Sequence, residues 1–123
     1  MYKDNPNFIK PSNSNTKIWR YLNFTKFVSL LDKSALFFTR ADKLDDPFEG
    51  SCPEKVIRFW EKKFGMKYMD EFYEHLKKFT LVNCWHISDY ESAAMWKMYL
   101  KNNEGIALQS TFNRLTSCFK DET

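Results

Sequence analysis

Lys17-Ile18-Trp19-Arg20-Tyr21-Leu22-Asn23-Phe24-Thr25-Lys26-Phe27-Val28-Ser29-Leu30-Leu31 holds two kinds of periodicity in succession. Ile18 to Tyr21 is short and aromatic, which suits a pleated, half-buried strand. Asn23 is then a good N-cap, because its side-chain oxygen can take a backbone N–H of the first helical turn. Phe24, Phe27, Val28 and Leu31 follow on one helical face. Ala35 to Thr39 is an apolar run closed by a polar residue, too short for a helix and suited to a buried strand. Strand, helix, strand predicts an α/β or α+β fold with a small mixed sheet of about four strands.

The chain continues in alternating elements. Ala41 to Cys52 carries Asp45, Asp46, Pro47 and Gly50; Pro47 pushes Asp46 out of the α region, which predicts a structured acidic loop. Pro53 suits a first helical residue, and Val56, Ile57, Trp60 and Phe64 form an apolar stripe against Glu54, Arg58, Glu61 and Lys62. Gly65 interrupts that helix, and Met69, Phe72, Tyr73 and Leu76 form the stripe of a second, so the pair predicts an inserted helical hairpin. Phe79 to His86 mixes aromatic and β-branched residues, as a central strand does. Ser88 to Glu91 has the spacing of a capping box before a helix through Leu100, apolar around most of its girth and therefore expected to be buried. Ile106 to Gln109 is a further short strand, and Thr111 to Phe119 begins a helix. The strands at Ile18, Leu36, Phe79 and Ile106 are expected to share one sheet, with an irregular polar arm over residues 1–16 and one domain from residue 17 to residue 123.

Composition narrows the class. Aromatic residues make up 18% of the 123 residues, with 3 Gly and 4 Pro, a packing composition and not a disordered one. Nineteen basic against 16 acidic side chains give a formal +3, interleaved without a long basic block, so nucleic acid is permitted as a partner but not indicated. Lys62, Lys63 and Lys67 are read as the solvated face of an amphipathic helix. The mean hydropathy of −0.59, with no long apolar run, argues against a membrane-spanning helix, and the expected location is the cytoplasm. Cys52, Cys84 and Cys118 are odd in number and widely spaced, which predicts reduced thiols.

Taken in order, Trp19-Arg20-Tyr21, Leu36-Phe37-Phe38, Asp45-Asp46-Pro47-Phe48-Glu49-Gly50, Cys84-Trp85-His86, Glu91-Ser92-Ala93-Ala94-Met95-Trp96-Lys97-Met98-Tyr99 and Gly105-Ile106-Ala107-Leu108 resemble the bacterial and phage family called domain of unknown function 2971. Members of that family usually run on for a comparable length past the Gly-Ile-Ala-Leu strand. Their acidic loop often reads Asn-Asp-Pro where this chain has Asp45-Asp46-Pro47. The resemblance implies the N-terminal half of a larger domain, and brings no established substrate or reaction. The opening strand, helix and aromatic strand are also similar to the start of the ADP-ribosyltransferase fold, which implies NAD as a ligand and a catalytic Glu late in the chain.

The candidate site residues follow from chemistry. Asp45, Asp46 and Glu49 are close enough to share a cation or to act as an acid and base pair, although an Asp before Pro commonly organises a turn and Glu49 can neutralise Arg20 or Arg40. Glu91 is a third acidic candidate, set against its place in the capping box. Asp46, Glu49 and Glu91 are thus the catalytic candidates, and Arg20, Tyr21, Asp45, Trp96 and Tyr99 the ligand-binding ones. Trp96 and Tyr99 also suit core packing, whereas an inward Arg20 requires an anion, either a loop carboxylate or a ligand phosphate. Cys84 and His86, two apart on the predicted strand, are too few for a zinc site without Cys52, His75 or the acidic loop, and no metal is expected. Two functions remain: an enzyme-like domain for a phosphorylated or nucleotide ligand such as NAD, and a non-catalytic protein or nucleic-acid interaction domain that can self-associate through apolar faces.

Overall fold

The computed structural model describes residues 2–3, 5–44, 52–65, 68–99 and 104–119. Its elements are β1 (Lys17–Asn23), α1 (Phe24–Lys33), β2 (Thr39–Arg40), a 3-10 turn (Ala41–Lys43), α2 (Glu54–Phe64), α3 (Met69–Phe79), β3 (Leu81–Val82), β4 (His86–Ile87), α4 (Ala93–Tyr99), β5 (Gly105–Thr111) and α5 (Phe112–Ser117). The fold is mixed α/β, and the chain divides into two compact units, residues 36–83 and the remainder.

The first unit is built on an antiparallel ribbon. β1 pairs with β5 over its whole length, from Lys17 opposite Thr111 to Asn23 opposite Gly105, and with β4 through Ile18 and Trp19. The ribbon has an approximate two-fold repeat about the pair Arg20 and Leu108. Each strand runs straight into a helix capped by the strand's own last residue: Asn23 Oδ1 accepts from the Lys26 N–H at 2.8 Å, and Thr111 Oγ1 from the Arg114 N–H at 3.3 Å. The residues follow suit, with Ile18, Phe24, Lys26 and Ser29 recurring as Ile106, Phe112, Arg114 and Ser117. Both faces of β1 are covered, since Ile18 (2% exposed), Leu22, Trp19 and Tyr21 are all buried. The arm forms Asx turns at Asn5 and Asn13, and the carbonyls of Ser14 and Thr16 accept from the first N–H groups of α5.

In the second unit α2 packs on α3, and α3 on β2 and the 3-10 turn. Gly65 ends α2 in the left-handed conformation at φ 62°, its N–H bonded to the Glu61 carbonyl; a glycine reaches that geometry without strain. Pro53 sits at the N-cap, one place before the first helical residue. β2 and β3 pair antiparallel, and the Asn83 side chain donates to the Phe37 carbonyl at 2.8 Å, tying the two ends of the unit together.

Several expectations are corrected. The described strands lie in two sheets, ordered β4-β1-β5 and β2-β3, not in one sheet of four, and every described pairing is antiparallel. The buried strand expected over Ala35 to Thr39 is only Thr39–Arg40, with Phe37 exposed. Phe79 to His86 is not one strand: Phe79 is the last residue of α3, because it continues that helix's apolar spacing from Leu76, and Thr80 closes the helix through its hydroxyl to the Leu76 carbonyl. The capping box does not form. Ser88 instead bonds the Tyr90 N–H, and Ser92, one turn later, caps α4 through the Met95 N–H at 3.3 Å. Nor is α4 buried, since Met98 and Tyr99 are exposed and Met95 and Trp96 only half-covered.

Candidate functional site

Arg20 occupies the middle of the central strand, opposite Leu108. It is half-buried, and its guanidinium carbon lies 5.9 Å from the centre of the Trp85 ring, within cation–π range. Burial pushes the Arg20 pKa down from its usual value, while Cys84 and Tyr99 act in the opposite direction. Trp85 reaches this place because β4 begins one residue later, with His86 opposite Trp19. The Trp19 indole N–H fastens the far end of that segment by donating to the Ser88 carbonyl at 2.8 Å.

Beside Arg20 in the chain, Tyr21 organises α4. Its ring meets Trp96 edge to face at 5.1 Å, and its hydroxyl accepts the Ser92 N–H at 2.8 Å. The Trp96 indole N–H in turn donates to Glu91 Oε2 at 3.0 Å. Tyr21 is 5% exposed, with its ring against Trp96 and its hydroxyl taken up by the Ser92 N–H. Glu91 orients Trp96 and plays no part in a capping box. The structure therefore joins Tyr21, Glu91 and Trp96 through one set of contacts, and groups Arg20 with Tyr99 and with Trp85, a member that sequence reading did not single out, through another; Arg20 and Tyr21, successive residues of β1, point to opposite faces of the strand. Asp45, Asp46 and Glu49 lie outside the described residues, and so does their expected convergence with Arg20.

Other expected chemistry is placed elsewhere. Arg40 holds Asp42 in a two-point fork at 2.9 and 2.6 Å, which keeps the Asp42 carboxyl below the usual aspartate range. Cys84 precedes β4 and is exposed, so it does not share a strand face with His86. Among the described residues no three His, Cys, Asp or Glu side chains cluster as metal ligands. Cys52 lies beside Tyr73 and pushes the phenol above its ordinary pKa. Lys77, 7% exposed, lies buried along α3 with its ammonium 2.9 Å from Glu74; an i,i+3 pair of opposite charge was the available signal. A shallow cleft of about 470 Å³ between the arm and β4 is lined by Asn13, Asn15, Lys17, Ser88 and Asp89, and none of the described candidate site residues lines it. No helix of the described residues is long and apolar enough to cross a membrane.

Comparison with protein-family models, with curated proteins and with solved structures finds no match to this chain.

Proposed function

We propose that the unit built on β1, β4 and β5 binds a phosphorylated ligand carrying an aromatic ring, of the nucleotide class that includes NAD, with Arg20 as its anchoring cation. One observation carries the reading: a half-buried guanidinium at the centre of the sheet lies over the Trp85 indole. Burial has already removed part of the water from this charge, so an anion reaching it gains more than it would at a solvated lysine. The planar fork of a guanidinium donates two parallel bonds to phosphate oxygens. Trp85 and Tyr99 offer ring faces for a base, and Tyr21, Trp96 and Glu91 hold α4 in register. In an enzymatic version of this reading, Asp46 and Glu49 supply the acid and base, and Asp45 contributes to ligand binding.

The test is thermal melting with NAD, ADP and inorganic phosphate in turn. A nucleotide at about a hundredfold over its Kd stabilises the fold by about 2.7 kcal/mol. Arg20→Ala is expected to abolish the shift with all three, and Tyr99→Ala to weaken the nucleotides while sparing phosphate. Absence of any shift overturns the reading. So does a cost of about 3 kcal/mol or more for Arg20→Ala in the free protein, which marks a buried structural pair.

A further inference from the structure

The exposed face of α2 concentrates rings and cations in a way the ligand reading does not use. No residue of α2 is buried; Phe59 is 54% exposed, and Trp60 and Phe64 are also open to solvent. Trp60 stacks on Phe64 at 4.8 Å and 24°, while Phe59 stands edge-on to Trp60 at 6.1 Å. The Lys63 ammonium, expected on the solvated face, instead lies 5.3 Å from the centres of both the Phe59 and Phe64 rings. With Lys62 it borders an open hollow of about 400 Å³ around Phe59.

Charge is sorted around this helix. At 3.6 residues per turn Lys55 and Lys62 flank Phe59 on one side, and Lys63 falls between Phe59 and Val56. Glu54 and Glu61 lie beyond Ile57 on the other side, and Arg58 is drawn to Glu54 by an i,i+4 ion pair. The cations therefore gather at Phe59. An occupant complementary to this edge has flat apolar faces and regularly spaced negative charge.

We propose that the Phe59 edge of α2, with Lys55, Lys62 and Lys63, is a stacking platform for single-stranded nucleic acid. Unpaired bases stack on Phe59 while the cations meet the adjoining phosphates, a combination that tolerates any sequence. A duplex hides its base faces and is the poorer partner. An anionic membrane fits less well, because the apolar arc is flanked on one side by Glu54 and Glu61, which would meet lipid headgroups of their own sign.

Fluorescence anisotropy of a dye-labelled oligothymidine of about 15 nucleotides, titrated with the whole chain, tests this. Saturable binding that weakens with salt is expected. Phe59→Ala should cost about tenfold or more, in line with base stacking, and Phe59→Trp should retain binding. Lys62→Ala with Lys63→Ala should flatten the plot of log K against log salt by about 1.4, two single-strand phosphate contacts. Circular dichroism melts confirm that each variant is folded, which an exposed position favours. Arg20→Ala should leave oligonucleotide affinity unchanged, so the two proposals stand or fall separately. The proposal is overturned by absence of binding at low salt, by an equal loss from Arg58→Ala, or by binding to phosphatidylserine vesicles that depends on Phe59 while the oligonucleotide does not bind.

Discussion

The fork between Arg40 and Asp42 shows what two neighbouring side chains contribute on a solvated surface. Hydrogen bonding from Arg40 is the main reason the Asp42 carboxyl is held low, and its charge adds to that. A carboxylate whose folded pKa lies below its unfolded one stabilises the fold fully above the unfolded value. That stabilisation is lost as pH falls through the folded value. Denaturant melts from about pH 6 down to about pH 2 are therefore expected to show a shallow loss at the acid end that Asp42→Asn removes. Arg40 is open to solvent while Asp42 is only partly covered, so the effect is small. An identical acid limb in the two proteins would leave the pair without a role. Arg20 was marked in the sequence by its place between two aromatic residues, yet its neighbour Trp85 was not. A cation–π contact joins residues far apart in the chain, and no local period announces it.

Among the elements, the two capped junctions are the clearest local signals. Asn23 and Thr111 end their strands and begin their helices in the same way, and they sit at opposite ends of the β1 and β5 ribbon. Asn23→Ala and Thr111→Ala are each expected to cost about 1 kcal/mol. Being roughly 20 Å apart, they should add to within about 0.5 kcal/mol in the double variant. Urea denaturation measures this, and unchanged midpoints in both single variants would show that the helices take no support from their caps. The β1 and α1 pair, the α2 and α3 hairpin and the Gly65 stop were legible because each has its own period and its own punctuation. β2, β3 and β4 were not, since two-residue strands owe their conformation to a partner and carry no pattern of their own. The start of α4 was misplaced by one turn because Ser88 and Ser92 compete for the cap, and only the backbone geometry decides between them.

At the scale of the molecule, apolar surface among the described residues is poorly covered. Among the described residues the buried apolar ones are Ile18, Trp19, Tyr21, Leu22, Ala41 and Met69, whereas Phe24, Val28 and Leu31 on α1, and Phe72, Leu76 and Phe79 on α3, stay exposed. Phe79, at 82% exposed, ends a stripe that its helix builds but nothing described covers. Faces of this kind favour association, so the chain is expected to elute earlier from size exclusion as its concentration rises and to melt with low cooperativity. A monomer at every concentration, melting sharply above about 65 °C, would refute this. The apolar stripes of α1, α2 and α3 were legible as stripes; their exposure was not, because periodicity shows which residues share a face and not what lies against it.

The ribbon also governs how the chain reaches this state. β1 and β5 pair residues about 90 positions apart, and the 36–83 unit lies between them in the chain. The bond from Asn83 to Phe37 brings the ends of that unit together, so its prior folding shortens the loop to be closed to roughly half. Halving a loop eases closure by only about 0.6 kcal/mol, close to a threefold gain in rate. Early folding of the inserted unit therefore helps without being required. Closing the ribbon joins strands far apart in the chain and is therefore expected to be the slow event in either order, whereas Arg20 meets Trp85 through the separate pairing of β1 with β4.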